Sequence, residues 1–174
     1  MKIAVQDANI LIDLEIAGLL DLWNQLGIET HTTNFITQEL KDGGHQQAIS
    51  YIENGLILET AFGFDELIEI NRLKEGFSPR GASIKDASVL YLSIQKEAML
   101  LTGDKALRFQ AESVHCIEVH GTLWILEKLI EAKLIDSSIA ASKLEYLIGL
   151  KGTKRRFLPE KQSRERIARW RKAR

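Results

Sequence analysis

Two apolar runs in this chain end in a carboxylate. Ala98-Met99-Leu100-Leu101-Thr102 breaks at Gly103 and presents Asp104 at the start of a helix-patterned segment, and Ile3-Ala4-Val5-Gln6 ends in the same way at Asp7. A buried parallel strand feeding a helix reads like this, and ligands of open α/β sheets bind beyond the carboxyl ends of the strands. Two acids placed alike on two strands therefore predict a shared site. Glu39, one or two turns into a helix that Thr33-Asn34 caps, and Asp86, at a helix start opened by Ser83, are two further carboxylates that could join it. Like charges a few ångströms apart repel and raise one another's pKa, so such a cluster is costly unless a cation neutralises it. Oxygen-only ligands suit Mg²⁺ or Mn²⁺, an ion that can aim water at a phosphodiester while its charge stabilises the developing oxyanions. Asp86 carries a second reading, because Ser83 with an acid three residues on has the spacing of a capping box.

The elements that must position these acids follow from the hydrophobic pattern. Lys2–Gln6 reads as a strand, and Ile10, Leu11, Leu14, Ala17, Leu19, Leu20, Leu22 and Trp23 form one helical stripe that Gly27 stops. Ile28–Thr32 and Leu56–Thr60 read as strands, with helices at 35–40, 45–53 and 65–74 around them. A loop at 76–81 containing Pro79 precedes the helix that Ser83 opens. Met99–Leu101 is the central strand, 104–111 the helix after it and Cys116–Val119 the next strand. Two amphipathic helices, 123–133 and 137–150, come next, and Pro159 can start a last basic helix through Ile167 and Trp170. Strands alternating with helices predict an α/β fold, a mostly parallel central sheet with helices on both faces.

Composition narrows the class. A chain of 174 residues, 45 % hydrophobic and 27 % charged, is that of an ordinary soluble globular protein with one sizeable core. No apolar run approaches the roughly 20 residues of a membrane helix, and the N-terminus lacks the pattern of a signal peptide. The single cysteine, Cys116, excludes a disulfide framework and a cysteine metal knuckle, so a cytoplasmic protein is expected. The net charge of −1 hides an asymmetry: residues 151–174 hold eleven Lys and Arg against two Glu, a net of +9, which leaves the body at −10. Such a tail suits a polyanionic partner or a purely solubilising role.

At these motifs the chain resembles the PIN-domain ribonucleases, which include the VapC-type toxins of bacterial toxin–antitoxin pairs. The resemblance runs over about residues 1–130 and rests on Val5-Gln6-Asp7-Ala8-Asn9-Ile10-Leu11-Ile12-Asp13, Thr37-Gln38-Glu39-Leu40, Lys85-Asp86-Ala87-Ser88 and Leu101-Thr102-Gly103-Asp104-Lys105-Ala106-Leu107-Arg108, with Glu118 to Leu126 resembling the closing strand and helix. It implies a PIN-like three-layer fold, in which residues 1–150 form the nuclease domain and 151–174 a basic C-terminal extension. It further implies that Asp7, Glu39, Asp86 and Asp104 line one divalent-metal pocket for Mg²⁺ or Mn²⁺, with Asp7 and Asp104 the most direct ligands. Asn9 and Thr102 would orient the carboxylates, as polar groups behind ligands do. The activity implied is endoribonucleolytic, the partners RNA, a second copy in a homodimer and an antitoxin protein. Ala8 departs from the family, which often has Thr or Ser there, and the segment from Leu134 extends past the compact toxins.

Other residues carry two readings each. Lys105 and Arg108 suit phosphate oxygens or are helix-surface charges, and Arg155, Arg156, Arg166 and Arg169 extend the same expectation into the tail. Trp170 among arginines suits base stacking or anchors the tail on the body. Asp13 is expected to be solvated or capping, the four histidines structural or exposed, and Trp23 and Trp124 core. Two rival functions remain: a PIN-like module that binds nucleic acid or protein without cutting, and a phosphatase-like hydrolase with an N-terminal Asp nucleophile. The second usually needs an Asp where Asn9 stands.

Overall fold

In the computed structural model, residues 2–77, 81–156 and 158–172 are described. Of the 76–81 loop expected around Pro79, Ser78, Pro79 and Arg80 lie outside them. The sheet is β1 (Ile3–Gln6), β2 (Glu29–Thr33), β3 (Leu58–Thr60), β4 (Met99–Leu101) and β5 (Val119–His120), in the order β3-β2-β1-β4-β5 with every pairing parallel. Helices α1 (Ala8–Ala17), α2 (Leu20–Asn24), α3 (Asn34–Asp42), α4 (Gln46–Glu53), α5 (Phe64–Glu75), α6 (Ile84–Gln95), α7 (Lys105–Phe109), α8 (Thr122–Glu131), α9 (Ser137–Gly149) and α10 (Glu160–Lys172) flank it. This is the expected α/β fold, and its sheet is parallel throughout the described strands rather than mostly so.

Central strands β1 and β4 are short and buried along almost their whole length, as strands covered on both faces are. Their register sets Gln6 opposite Leu101, and the Asp7 N–H donates to the Leu101 carbonyl at 3.0 Å, so the two acid-bearing strand ends leave the sheet side by side.

Two elements differ from expectation. The single helix predicted up to Gly27 is broken at Gly18, whose left-handed φ of 64° caps α1 and lets α2 restart at Leu20 while the apolar stripe stays buried. The last strand is shorter and later than Cys116–Val119. A single π turn at Gln110–Val114 prolongs α7, and Cys116 takes a left-handed φ of 55°, which postpones the extended backbone to Val119.

The C-terminal segment folds onto the body. Ile167 and Trp170 are 8 % and 5 % exposed and belong to the same apolar cluster as the sheet, with α10 lying against α9. Of the two readings of Trp170, anchoring is the one the packing bears out. No described helix is long and apolar enough to cross a membrane.

Candidate active site

Asp7 follows β1 directly and serves as the N-cap of α1, only 6 % exposed. One carboxylate oxygen accepts from the Ala8 N–H at 2.7 Å. The other accepts from the Thr102 hydroxyl at 2.8 Å and the Asn9 amide at 2.5 Å. Burial pushes its pKa up to about 7; the Thr102 hydrogen bond pulls down, and the charges of Asp86 and then Glu39 push up again. Those two acids therefore share its field although their elements are distant in sequence.

Asp104 caps α7, its Oδ1 accepting from the Leu107 N–H at 2.7 Å, while its own N–H donates to Thr102 Oγ1 at 3.0 Å. One hydroxyl thus links the two strand-end acids. Asn9 ties the same loops from the other side, for its Oδ1 accepts from the Gly103 N–H at 2.9 Å. A Cβ on Gly103 would stand 3.2 Å from that oxygen, which is the close approach glycine permits here.

The remaining acids are held by local partners. Asp86 closes a reciprocal capping box: its Oδ2 accepts from the Ser83 N–H and hydroxyl, both at 2.8 Å, and its N–H donates to Ser83 Oγ at 3.2 Å. Its capping reading is thus realised, alongside its electrostatic reach to Asp7. Glu39 pairs with Lys85 at 2.9 Å on the neighbouring helix. Among the described residues no three Asp, Glu, His or Cys side chains converge closely enough to hold an ion as they stand. The donor set nevertheless suits a hard divalent cation. It is all oxygen, Asp86 and Glu39 raise the pKa of Asp7, and a cation would relieve that repulsion.

The basic candidates separate. Lys105 is exposed at the start of α7 and has no ion pair among the described residues. Arg108 is a tether: it donates to the Val119 carbonyl and to Glu112, both at 2.9 Å, beside the Thr102 carbonyl. Arg166 and Arg169 both donate to Glu127, at 3.0 and 2.8 Å, so they fasten α10 to α8. Arg156 donates to Asp13 at 2.5 Å and to the Asn9 carbonyl at 2.7 Å, and Arg155 lines the groove beside it. Asp13, expected to be solvated or capping, is instead 4 % exposed and also accepts from the Thr122 hydroxyl at 2.6 Å. Burial raises its pKa, against the pull of Arg156 and of Thr122.

Sequence reasoning missed both this pair and a second feature. Trp124, expected in the core, is only partly buried and stacks on His120, ring centroids 4.2 Å apart and planes 6° apart. The spacing of an aromatic four residues after a histidine at a strand end was the available signal.

A family model described as a PIN domain matches residues 3–170, nearly the whole length, including α10. The chain belongs to the PIN-domain family. PIN domains are in general nucleases that act on nucleic acids and use divalent metals, and this one is a nuclease-type module. No curated protein matches the chain. In this PIN domain Asp7 and Asp104 directly follow β1 and the β4 turn, and the C-terminal helix lies within the family match.

Proposed function

We propose that this PIN domain is a divalent-metal-dependent endoribonuclease that hydrolyses RNA phosphodiesters at the carboxyl edge of β1 and β4, with Asp7, Glu39, Asp86 and Asp104 as its acidic centre. What carries the reading is the wiring of Asp7: a buried carboxyl with a pKa near 7, joined through the Thr102 hydroxyl to Asp104 and raised by the charges of Asp86 and Glu39. Bound at this centre, a divalent ion supplies positive charge for phosphate oxygens and a nucleophilic water. Asp7 and Asp104 would hold the ion, Glu39 and Asp86 would complete its charge balance, and Asn9 and Thr102 would fix the carboxylates. Lys105 meets phosphate beside the centre.

Purified protein should cut a mixed RNA pool with Mg²⁺ or Mn²⁺ and stop when EDTA is added. Asp7→Asn and Asp104→Asn should each lower cleavage at least a hundredfold while leaving the fold intact; wild-type turnover by either variant moves the site elsewhere.

One observation favours a second reading, a module that binds nucleic acid or protein without cutting. Asp86 is committed to its capping box and Glu39 to Lys85, so the acids are not gathered for an ion as they stand. Binding of RNA with no cleavage under either metal would select it. The toxin role, its antitoxin, a homodimer and a cytoplasmic location extend the proposal by family resemblance. Growth arrest on induction, relieved by co-expressing a small neighbouring gene, would support the toxin, and sedimentation would report the dimer.

A further inference from the structure

Beside Asp104 a groove of about 970 Å³ opens between the β4 and β5 strand ends, the start of α8 and the segment leading into α10. Lys105, Arg155 and Arg156 line it, and so do His120 and Trp124. The two rings are stacked face to face, parallel within 6°, and Lys128 Nζ lies over the Trp124 ring 5.6 Å from its centroid, which leaves the outer face of His120 for a third ring. His120 is paired in register with Leu101, and its carbonyl accepts from the Thr102 N–H at 2.9 Å. The stacked pair is therefore fixed one strand away from the hydroxyl that links Asp7 to Asp104. Arg108 clamps this edge through Val119, and Glu118 accepts from or pairs with His120 at 2.6 Å, so the histidine ring is held in place. A held aromatic pair beside cations, next to an acidic centre, is the combination that takes a stacked base with its flanking phosphates.

We propose that this groove is a single-strand subsite, in which one nucleobase of the RNA stacks on the His120–Trp124 pair while Lys105 and Arg155 meet the backbone phosphates next to it. Duplex RNA keeps its bases in their own stack and cannot offer a face to the stacked rings, so the substrate is unpaired at this position. The inference rests on the ribonuclease reading for its substrate, and its test does not require cleavage.

The full-length protein, in EDTA, is titrated with a fluorescein-labelled eight-nucleotide single-stranded RNA and with the corresponding duplex. Single strands should bind more tightly than duplex. Trp124→Leu, which keeps apolar volume and removes the aromatic face, should weaken single-strand binding about tenfold without changing its salt slope, and Trp124→Phe should restore most of it. Lys105→Gln should reduce the salt slope by about 0.7, the loss of one phosphate contact on a single strand. His120→Ala, at the other ring of the pair, gives the same reading should the Trp124 variant fail to fold. Wild-type affinity in the folded ring variants, equal binding of duplex, or no binding of the single strand by the wild-type protein overturns the subsite. Loss of cleavage in Asp7→Asn together with unchanged binding in Trp124→Leu sinks the subsite alone; full cleavage in Asp7→Asn together with weakened binding in Trp124→Leu sinks the acidic centre alone.

Discussion

Asp7 is tuned by what surrounds it, and the tuning has a sign that can be measured. Its folded-state pKa of about 7 lies above the ordinary 3.8, chiefly because the carboxyl is buried. Between those two values the folded protein holds a proton that the unfolded chain has released, so raising the pH costs stability across that window and nothing more beyond it. In metal-free buffer the protein should lose on the order of 4 kcal/mol between pH 4 and pH 7.5 through this residue. Asp7→Asn should flatten that dependence and raise the melting temperature at pH 7.5; an unchanged pH profile in the variant would show that Asp7 is not the buried acid. Asp13 is buried too, but its strong partner reverses the balance of risk. Arg156→Ala leaves an uncompensated buried carboxylate and should cost about 3–5 kcal/mol at neutral pH, read by denaturant unfolding. The loss should shrink in acid, where the raised pKa lets Asp13 take a proton, and Asp13→Asn combined with Arg156→Met should recover much of it.

At the scale of elements, the helix starts do most of the positioning. Asp7 and Asp104 are the N-caps of α1 and α7 and Asp86 closes the capping box that Ser83 opens on α6, so three of the groups proposed for the metal also fix helix starts. The partial positive charge of a helix start lowers the cost of holding an anion there, which offsets part of the burial of Asp7. Much of this was legible in the chain. A strand ending in Asp and running into a helix is a local pattern, and Ser83 with Asp86 was recognisable as a capping box from spacing alone. The break at Gly18 was not legible, since the apolar stripe continues through it and only the left-handed turn redirects the chain. The late start of β5 depends likewise on Cys116 adopting a positive φ, which its residue type does not announce.

For the molecule as a whole, part of the charge asymmetry of the chain has become a fastening. Arg166 and Arg169 hold Glu127, Arg171 holds Glu145, and Trp170 is buried against the body, while most of the basic side chains of the segment stay exposed to solvent. Trp170→Ala should destabilise the whole protein by about 3–5 kcal/mol in a single cooperative transition; a separate early melting of α10 would show that it folds apart from the rest. Deleting 152–174 would remove the partner of Asp13 as well, so point variants in the groove test nucleic-acid binding more cleanly than truncation. The sequence by itself determined the order of strands and helices, the four acids and the cap chemistry, because burial periodicity and helix ends are written within a few residues. Only the tertiary structure decided that the Thr102 hydroxyl reaches Asp7 across 95 residues, that Arg156 closes on Asp13 across 143, and that His120 and Trp124 face a groove. Those partners meet because the parallel sheet and the docking of α10 bring them together, and a hydrophobic pattern records which faces are buried but not which side chains meet there.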